Sequence, residues 1–214
     1  MNKISLVNTV PEVFAALESL DSEVWRKQIE LEKGATYLFE ANSGTGKSSL
    51  LSYLYGFRRD YQGNILFDNV DIKTFNIKKW TEIRKKTLSL LWQELRLFPE
   101  LTAWENVVIK NNITKFQNKK TIETWFEQLG IDDRRETIVD KMSFGQQQRV
   151  ALIRALCQPF DFIMVDEPIS HLDSINANIM SEIISAEAKR QGAAVIVTSI
   201  GKRLELQYDH IFKL

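Results

Sequence analysis

The chain has 214 residues, an ordinary apolar content of 44% and a balanced charge, 28 Lys and Arg against 28 Asp and Glu. These values exclude a disordered or fibrous chain, and the lack of a basic surplus argues against a protein that coats nucleic acid. The single cysteine, Cys157, cannot form an internal disulfide, and the longest stretch free of charged residues, 191–201, is far short of a bilayer span. Residues 1–11 carry one lysine and no long apolar core, so no secretory leader is expected and the protein is placed in the reducing cytoplasm.

Residues 23–32 and 63–72 alternate apolar and polar side chains, which predicts half-exposed strands in an antiparallel edge layer. The runs at 35–40, 160–166 and 193–198 are continuously apolar, as central strands covered on both faces are. Helical signals alternate with them. One helix covers 47–56 and stops at Gly56; another carries Ile122, Trp125, Phe126 and Leu129 and stops at Gly130. A third is capped by Ser143 and runs to Cys157, a core residue, before Pro159. A fourth has Ile175, Ile179 and Ile183 four residues apart and ends near Gly192. The fold class is therefore α/β, with a mainly parallel sheet, an antiparallel edge layer near the N-terminus and a helical insertion. A single domain of residues 1–214 is expected, with an α/β lobe at about 1–94 and 143–214 and a helical subdomain at about 95–142.

The run Ala41, Asn42, Ser43, Gly44, Thr45, Gly46, Lys47, Ser48 follows a predicted strand and opens a predicted helix. That is the context of a phosphate-binding P-loop: the glycines let successive N–H groups face one anion, and the helix N-terminus adds its dipole. Lys47 offers a cation to the β- and γ-phosphates and Ser48 a hydroxyl to Mg²⁺. Ala41 stands where the first glycine of this pattern is usual. The apolar run to Val165 ends in Asp166 and Glu167, the second half of a P-loop nucleoside-triphosphatase site, with Asp166 at the metal and Glu167 as the base for the attacking water.

Between these two elements lies Met142, Ser143, Phe144, Gly145, Gln146, Gln147, Gln148, Arg149, which resembles the signature sequence of ATP-binding-cassette (ABC) ATPases. Ser170, His171, Leu172 and Asp173 resemble that family's D-loop, and Gln93 its Q-loop glutamine. Gln93 follows Lys47 by 46 residues, Ser143 follows Gln93 by 50, and Asp166 follows Ser143 by 23, in family order. The Gln-rich tail of the signature is similar to the lipoprotein-release and macrolide-export branch. The resemblance implies an ATPase whose ATP and Mg²⁺ are held by residues 42–48 and Ser49, with Ser48, Gln93 and Asp166 at the metal and Glu167 and Gln93 in catalysis. It implies a head-to-tail dimer, expected to be a homodimer, in which Ser143, Gly145 and Gln146 of one subunit cover the other's nucleotide and Asp173 lies near the two-fold axis. It also implies a separate membrane permease docked near residues 93–106 and the helical subdomain, and hence a peripheral location on the cytoplasmic face.

Besides Ala41, two positions depart from the pattern. Phe144 replaces a signature glycine. Ser199, 32 residues after Glu167, stands where the family has a histidine, which predicts slow turnover because serine carries no charge; Lys202 or Arg203 is a candidate substitute. The adenine-stacking aromatic is Phe14, with Trp25 as the alternative and core packing as an equal reading for both. Phe98 and Trp104, in a loop-like stretch, are the expected permease contacts. His171 and His210 lack metal-ligand spacing, so no structural metal is expected. A low-turnover regulatory module and a non-transport ABC ATPase are the alternatives, and a P-loop kinase is disfavoured by the signature.

Overall fold

The computed structural model describes residues 1–41, 44–168 and 173–214. Its elements in chain order are β1 (Lys3–Pro11), β2 (Gln28–Glu32), β3 (Thr36–Glu40), α1 (Lys47–Leu54), β4 (Tyr61–Phe67), β5 (Val70–Asp71), α2 (Ile77–Lys86), β6 (Leu88–Leu91), α3 (Ala103–Thr114), α4 (Lys119–Gln128), α5 (Phe144–Leu156), β7 (Phe162–Asp166), α6 (Ser174–Gln191), β8 (Ala194–Ser199) and β9 (His210–Lys213). They form two sheets. One is antiparallel, ordered β2-β1-β4-β5; the other is parallel, ordered β6-β7-β8-β3-β9.

The inner strands β3, β7 and β8 are buried on both faces, which is why they read as unbroken apolar runs. Tyr37, Phe39, Phe162, Met164, Ala194 and Ile196 point toward the antiparallel sheet and α1, while Leu38, Ile163, Val165, Val195 and Val197 point toward α5 and α6. Successive residues therefore join two separate cores. The second core continues into the 95–142 region through Ala103, Val107, Ile122, Trp125, Phe126 and Leu129.

Several sequence expectations are altered. The 23–32 strand shrinks to Gln28–Glu32, because Val24 and Trp25 are both buried and Arg26 has a φ of 59°, which makes residues 23–27 a turn. The 63–72 strand is cut by a turn at Asp68 and Asn69, both with positive φ. The isoleucine stripe on α6 is only half a core face: Ile175 is 72% exposed, and Met180, Ile183 and Ile184 make the buried contacts. Trp104 is not in a loop but in the first turn of α3, packed 5.9 Å from the Phe126 ring.

The loop before α3 is held by one buried side chain. Asn106 is fully buried; its Oδ1 accepts from Phe98 N at 2.8 Å, and its Nδ2 donates to the carbonyls of Phe98 and Thr102 at 3.0 Å. Asn106→Ala strands Phe98 N and takes the second donor from the Phe98 and Thr102 carbonyls, which keep Leu101 N and Asn106 N, and a loss of about 2 kcal/mol of unfolding free energy is expected. Chemical denaturation of the variant against wild type measures it.

Candidate functional site

The parallel register fixes where the motifs meet. Glu40 pairs with Ser199, Asp166 with Thr198, and Leu91 with Val165, so β3, β6, β7 and β8 all end in one layer. Their carboxyl ends deliver the Ala41–Ser48 loop, Gln93, Glu167 and the turn after Ser199 to one rim. This is where a parallel α/β sheet presents ligands to helix N-termini.

Gly44 and Gly46 have φ values of 85° and 99°, which turns the loop into α1 with Lys47 as its first residue. A methyl group on Gly46 would meet the Trp25 ring at 3.1 Å and the Phe14 ring at 3.2 Å. Both aromatic candidates therefore touch the loop, in different ways. Trp25 is 2% exposed, and its Nε1 donates to the Thr45 carbonyl at 3.0 Å, so it buttresses the loop from beneath. Phe14 is half-exposed, and Arg26 holds its segment by donating to the carbonyls of Ala15 and Leu17. Asn42 and Ser43 lie outside the described residues. The Ser49 hydroxyl accepts from Arg58 at 2.8 Å.

Glu167 is the meeting point. Gln93 Nε2 donates to Glu167 Oε2 at 3.1 Å, and Lys47 Nζ lies 3.6 Å from Glu167 Oε1. The backbone of Glu167 is left-handed, with φ at 46°, a strained conformation for a residue with a side chain. Its neighbour Asp166 is 2% exposed and accepts a hydrogen bond from Thr198 Oγ1 at 2.6 Å, and the Ser48 hydroxyl, in the first turn of α1, also favours its charged form. Burial raises the Asp166 carboxyl above the ordinary carboxylate range, and the charges of Glu167 and Glu94 add to this, against the two hydroxyl donors. Among the described residues no group of three or more His, Cys, Asp and Glu is placed so that it could hold a metal ion. The Ser48 hydroxyl, the Asp166 carboxylate and the Gln93 amide do fit Mg²⁺, which takes few protein oxygens and keeps waters.

Ser199 is buried, and its hydroxyl donates to the Lys202 carbonyl within its own turn. Arg203 Nε pairs with Glu40 at 2.7 Å. Ser143 and Gln146 form a reciprocal cap on α5: Ser143 Oγ accepts from Gln146 N at 3.3 Å, and Gln146 Oε1 accepts from Ser143 N at 3.0 Å. Phe144 is 41% exposed. Asp173 caps α6, and its carboxylate falls below the ordinary range by accepting from Asn176; Ser170, His171 and Leu172 lie outside the described residues.

Sequence reasoning missed the work of the glutamine run. Gln147 donates to the carbonyls of Val139 and Met142, Gln148 to that of Pro168, and Arg149 to Leu129 O and to Asn176 Oδ1. The signature helix is thereby tied to the turn after Glu167 and to the start of α6. A dense run of amides next to a capping serine was the available signal.

Residues 26–170 match the family model described as ABC transporter. The chain is 28% identical to the ABC transporter ATP-binding protein YtrE of Bacillus subtilis (strain 168), covering 86% of this chain and 84% of that one. It is 29% identical to the lipoprotein-releasing system ATP-binding protein LolD of Porphyromonas gingivalis, covering 87% and 86%. Of the mycobacterial relatives it matches, it spans between 57% and 65% of their length. The dimeric structure of a bacterial ABC transporter cassette superposes with a TM-score of 0.76 at 24% identity, covering 91% of this chain and 87% of that one, a likeness of fold.

Trp25→Phe keeps a ring under the loop and removes the donor to Thr45. We expect a fold that melts within a few degrees of wild type but binds nucleotide with a Kd raised about fivefold to tenfold, the scale of one lost hydrogen bond. Calorimetric titration beside a thermal melt separates the two effects.

Proposed function

The chain belongs to the ABC transporter family as an ATP-binding and ATP-hydrolysing subunit, and from that premise we propose that it powers a separate membrane permease by closing head-to-tail on a second copy of itself. The observation that carries this reading is the convergence on Glu167 of Gln93 and Lys47, three positions far apart in sequence. In the proposed reaction the Ala41–Ser48 loop and α1 hold the phosphates by backbone N–H groups, and Lys47 moves from Glu167 to the β- and γ-phosphate oxygens. Glu167, oriented by Gln93, then accepts the proton of the attacking water. Ser48, Asp166 and Gln93 would hold Mg²⁺, which neutralises charge on the phosphate oxygens when bound. Phe14 is proposed to stack on adenine, a role supported by its half-exposed ring against Gly46. Ser143, Gly145, Gln146 and Asp173 are proposed to face the partner's nucleotide, with the α5 dipole directed at its γ-phosphate.

The permease contact is proposed at the groove where the loop after Gln93 meets α3 and α5. Phe98, 49% exposed, supports this; Trp104 stands instead in the packing of the 95–142 region. Such a contact would make the chain peripheral on the cytoplasmic face of a membrane. No helix among the described residues is long and apolar enough to cross one. A helical subdomain over about 95–142 that moves as a unit against the rest of the chain belongs to the same proposal, as does cargo release in the manner of a lipoprotein-releasing system.

Two measurements test the chemistry. Glu167→Gln is expected to reduce ATP turnover by at least about 100-fold, the contribution of a positioned general base, and to elute as a dimer with ATP and Mg²⁺; unchanged turnover overturns the assignment. Ser199 offers a neutral hydroxyl already committed to Lys202, so hydrolysis is slow in this reading. Ser199→His is expected to raise kcat about tenfold, the worth of one charged hydrogen bond to a developing anion. If the variant turns over no faster than wild type, the low-turnover, nucleotide-gated alternative loses its motivating observation.

A further inference from the structure

The neutral balance of the chain hides one strongly unbalanced segment. Residues 72–87 carry six Lys and Arg against one Glu, so the rest of the chain has an excess of five acids. Most of these bases sit on α2, whose only acid is Glu82. Lys78, Lys79, Lys85 and Lys86 are three or four residues from it, which places all four lysines around it on one outer face. Lys86 pairs with Glu82 at 3.0 Å and, with Lys85 and Lys78, holds its carboxyl below the ordinary range. One carboxylate thus stands among four ammonium groups, and Lys78 and Lys85 have no ion pair of their own among the described residues.

Helix energetics explain only half of this. Lys85 and Lys86 lie in the last turn, where the helix dipole favours cations. Lys78 and Lys79 lie in the first turn, where it opposes them, and no acid accompanies them there. The same turn exposes an apolar side chain that folding does not require. Ile77 opens α2 and is 86% exposed, the most exposed large apolar residue among those described, while Trp80 and Ile83 supply the buried face. The helix packs on β6, the edge strand of the parallel sheet opposite β9, and on α3. On its inner side Arg84 donates to the Tyr55 and Gly56 carbonyls at 3.1 and 3.0 Å and lies over the Phe57 ring, which packs 5.2 Å from Trp92. Trp92 lines the groove where the permease contact is proposed, so α2 flanks that groove.

Resting on the transporter reading above, we propose that α2 lies against the bilayer beside the permease, its lysines facing anionic phospholipid headgroups and Ile77 inserted between them. A chain seated on a permease through that groove turns its β6 edge toward the membrane, and α2 is the basic element of that edge. An anionic leaflet attracts each lysine near its surface, and an apolar side chain at headgroup level adds a contact that salt does not screen. The lipid contact is weak alone. Once the permease holds the chain at the surface, the effective concentration of headgroups is high, and the two contacts bind as one. Lipid composition then bears on how firmly the chain stays docked.

The test sediments the purified full chain with vesicles of phosphatidylcholine alone or mixed with phosphatidylglycerol. Partition into the anionic vesicles should exceed that into the neutral ones at least about tenfold, and salt at about 1 M should release the chain. Lys78→Glu combined with Lys85→Glu should cut anionic partition at least about tenfold, with thermal melt and ATP turnover unchanged. Lys120→Glu combined with Lys189→Glu makes the same charge change at exposed positions of α4 and α6 and should leave partition within about twofold. Ile77→Ser should lower it about threefold or more. Equal partition into both vesicles, a control pair as damaging as the α2 pair, or an Ile77→Ser chain that partitions like wild type overturns the inference. Polyuridylate RNA bound as tightly as the anionic vesicles marks a general polyanion surface and also overturns it. The transporter reading is judged separately, by isolating the wild-type chain from membranes of the native host. A polytopic membrane protein that accompanies it sustains that reading whatever the vesicles show, and its absence overturns that reading and the orientation of α2 with it. If the α2 pair strips away this membrane protein but leaves vesicle binding intact, an acidic protein segment occupies α2 and the lipid contact is overturned.

Discussion

A carboxylate buried at the end of an apolar strand is the constraint around which the site is arranged. Asp166 is nearly inaccessible at the tip of β7, the second strand of a sheet covered on both faces. A charge in that position is tolerable only with donors aimed at it, and the register supplies them: Thr198 sits opposite on β8, and Ser48 arrives from the first turn of α1. Sliding β8 by one residue would turn Thr198 to the other face and bring Val197 beside the carboxylate. The apolar packing that fixes the register of β7 and β8 therefore also fixes the site, and the P-loop depends on it through Ser48.

The same register explains why motifs separated by tens of residues meet. The strands β3, β6, β7 and β8 end level, so Glu167, one residue past β7, and Gln93, two residues past β6, reach the same rim as the loop after β3. Glu167 is one step beyond Asp166, where the chain must leave the strand, and it does so through a left-handed backbone. Such strain persists only where surroundings over-determine it. Here the surroundings are the Gln93 amide, the Lys47 ammonium and the Thr198 carbonyl, which accepts from Glu167 N at 3.2 Å.

The legible parts of the fold were those with strong local signals. The runs ending at Glu40, Asp166 and Thr198 are apolar enough to be nothing but buried strands, and the Ser143 cap and the glycines after α1, α4 and α6 punctuate their helices. Illegible were β6, four residues hidden behind a basic helix, and α2 itself, whose buried face is only Trp80 and Ile83. The edge strand β9 was equally mute, because three of its four residues are exposed and only pairing with β3 defines it. In the site, residue types announced Lys47, Ser48, Asp166 and Glu167. Trp25 was ambiguous because its function is a hydrogen bond to a carbonyl, and no residue pattern encodes which carbonyl a buried indole will reach.

Two side chains connect the site to its surroundings at different depths. Gln93 touches Glu167 directly, so displacement of its loop would change the orientation of that carboxylate. Arg154 grips the same loop two residues later from a helix whose first turn is the Ser143 cap, and Gln148 on that helix reaches the Pro168 carbonyl, one residue past Glu167. The loop after Gln93, the signature helix and the turn after β7 therefore form a closed ring of hydrogen bonds, with Glu167 on one side and the groove against α3 on the other. The carboxylate of Glu167 and the Ser143 cap are thus joined to the loop after Gln93 by one set of side chains, Gln93, Arg154 and Gln148.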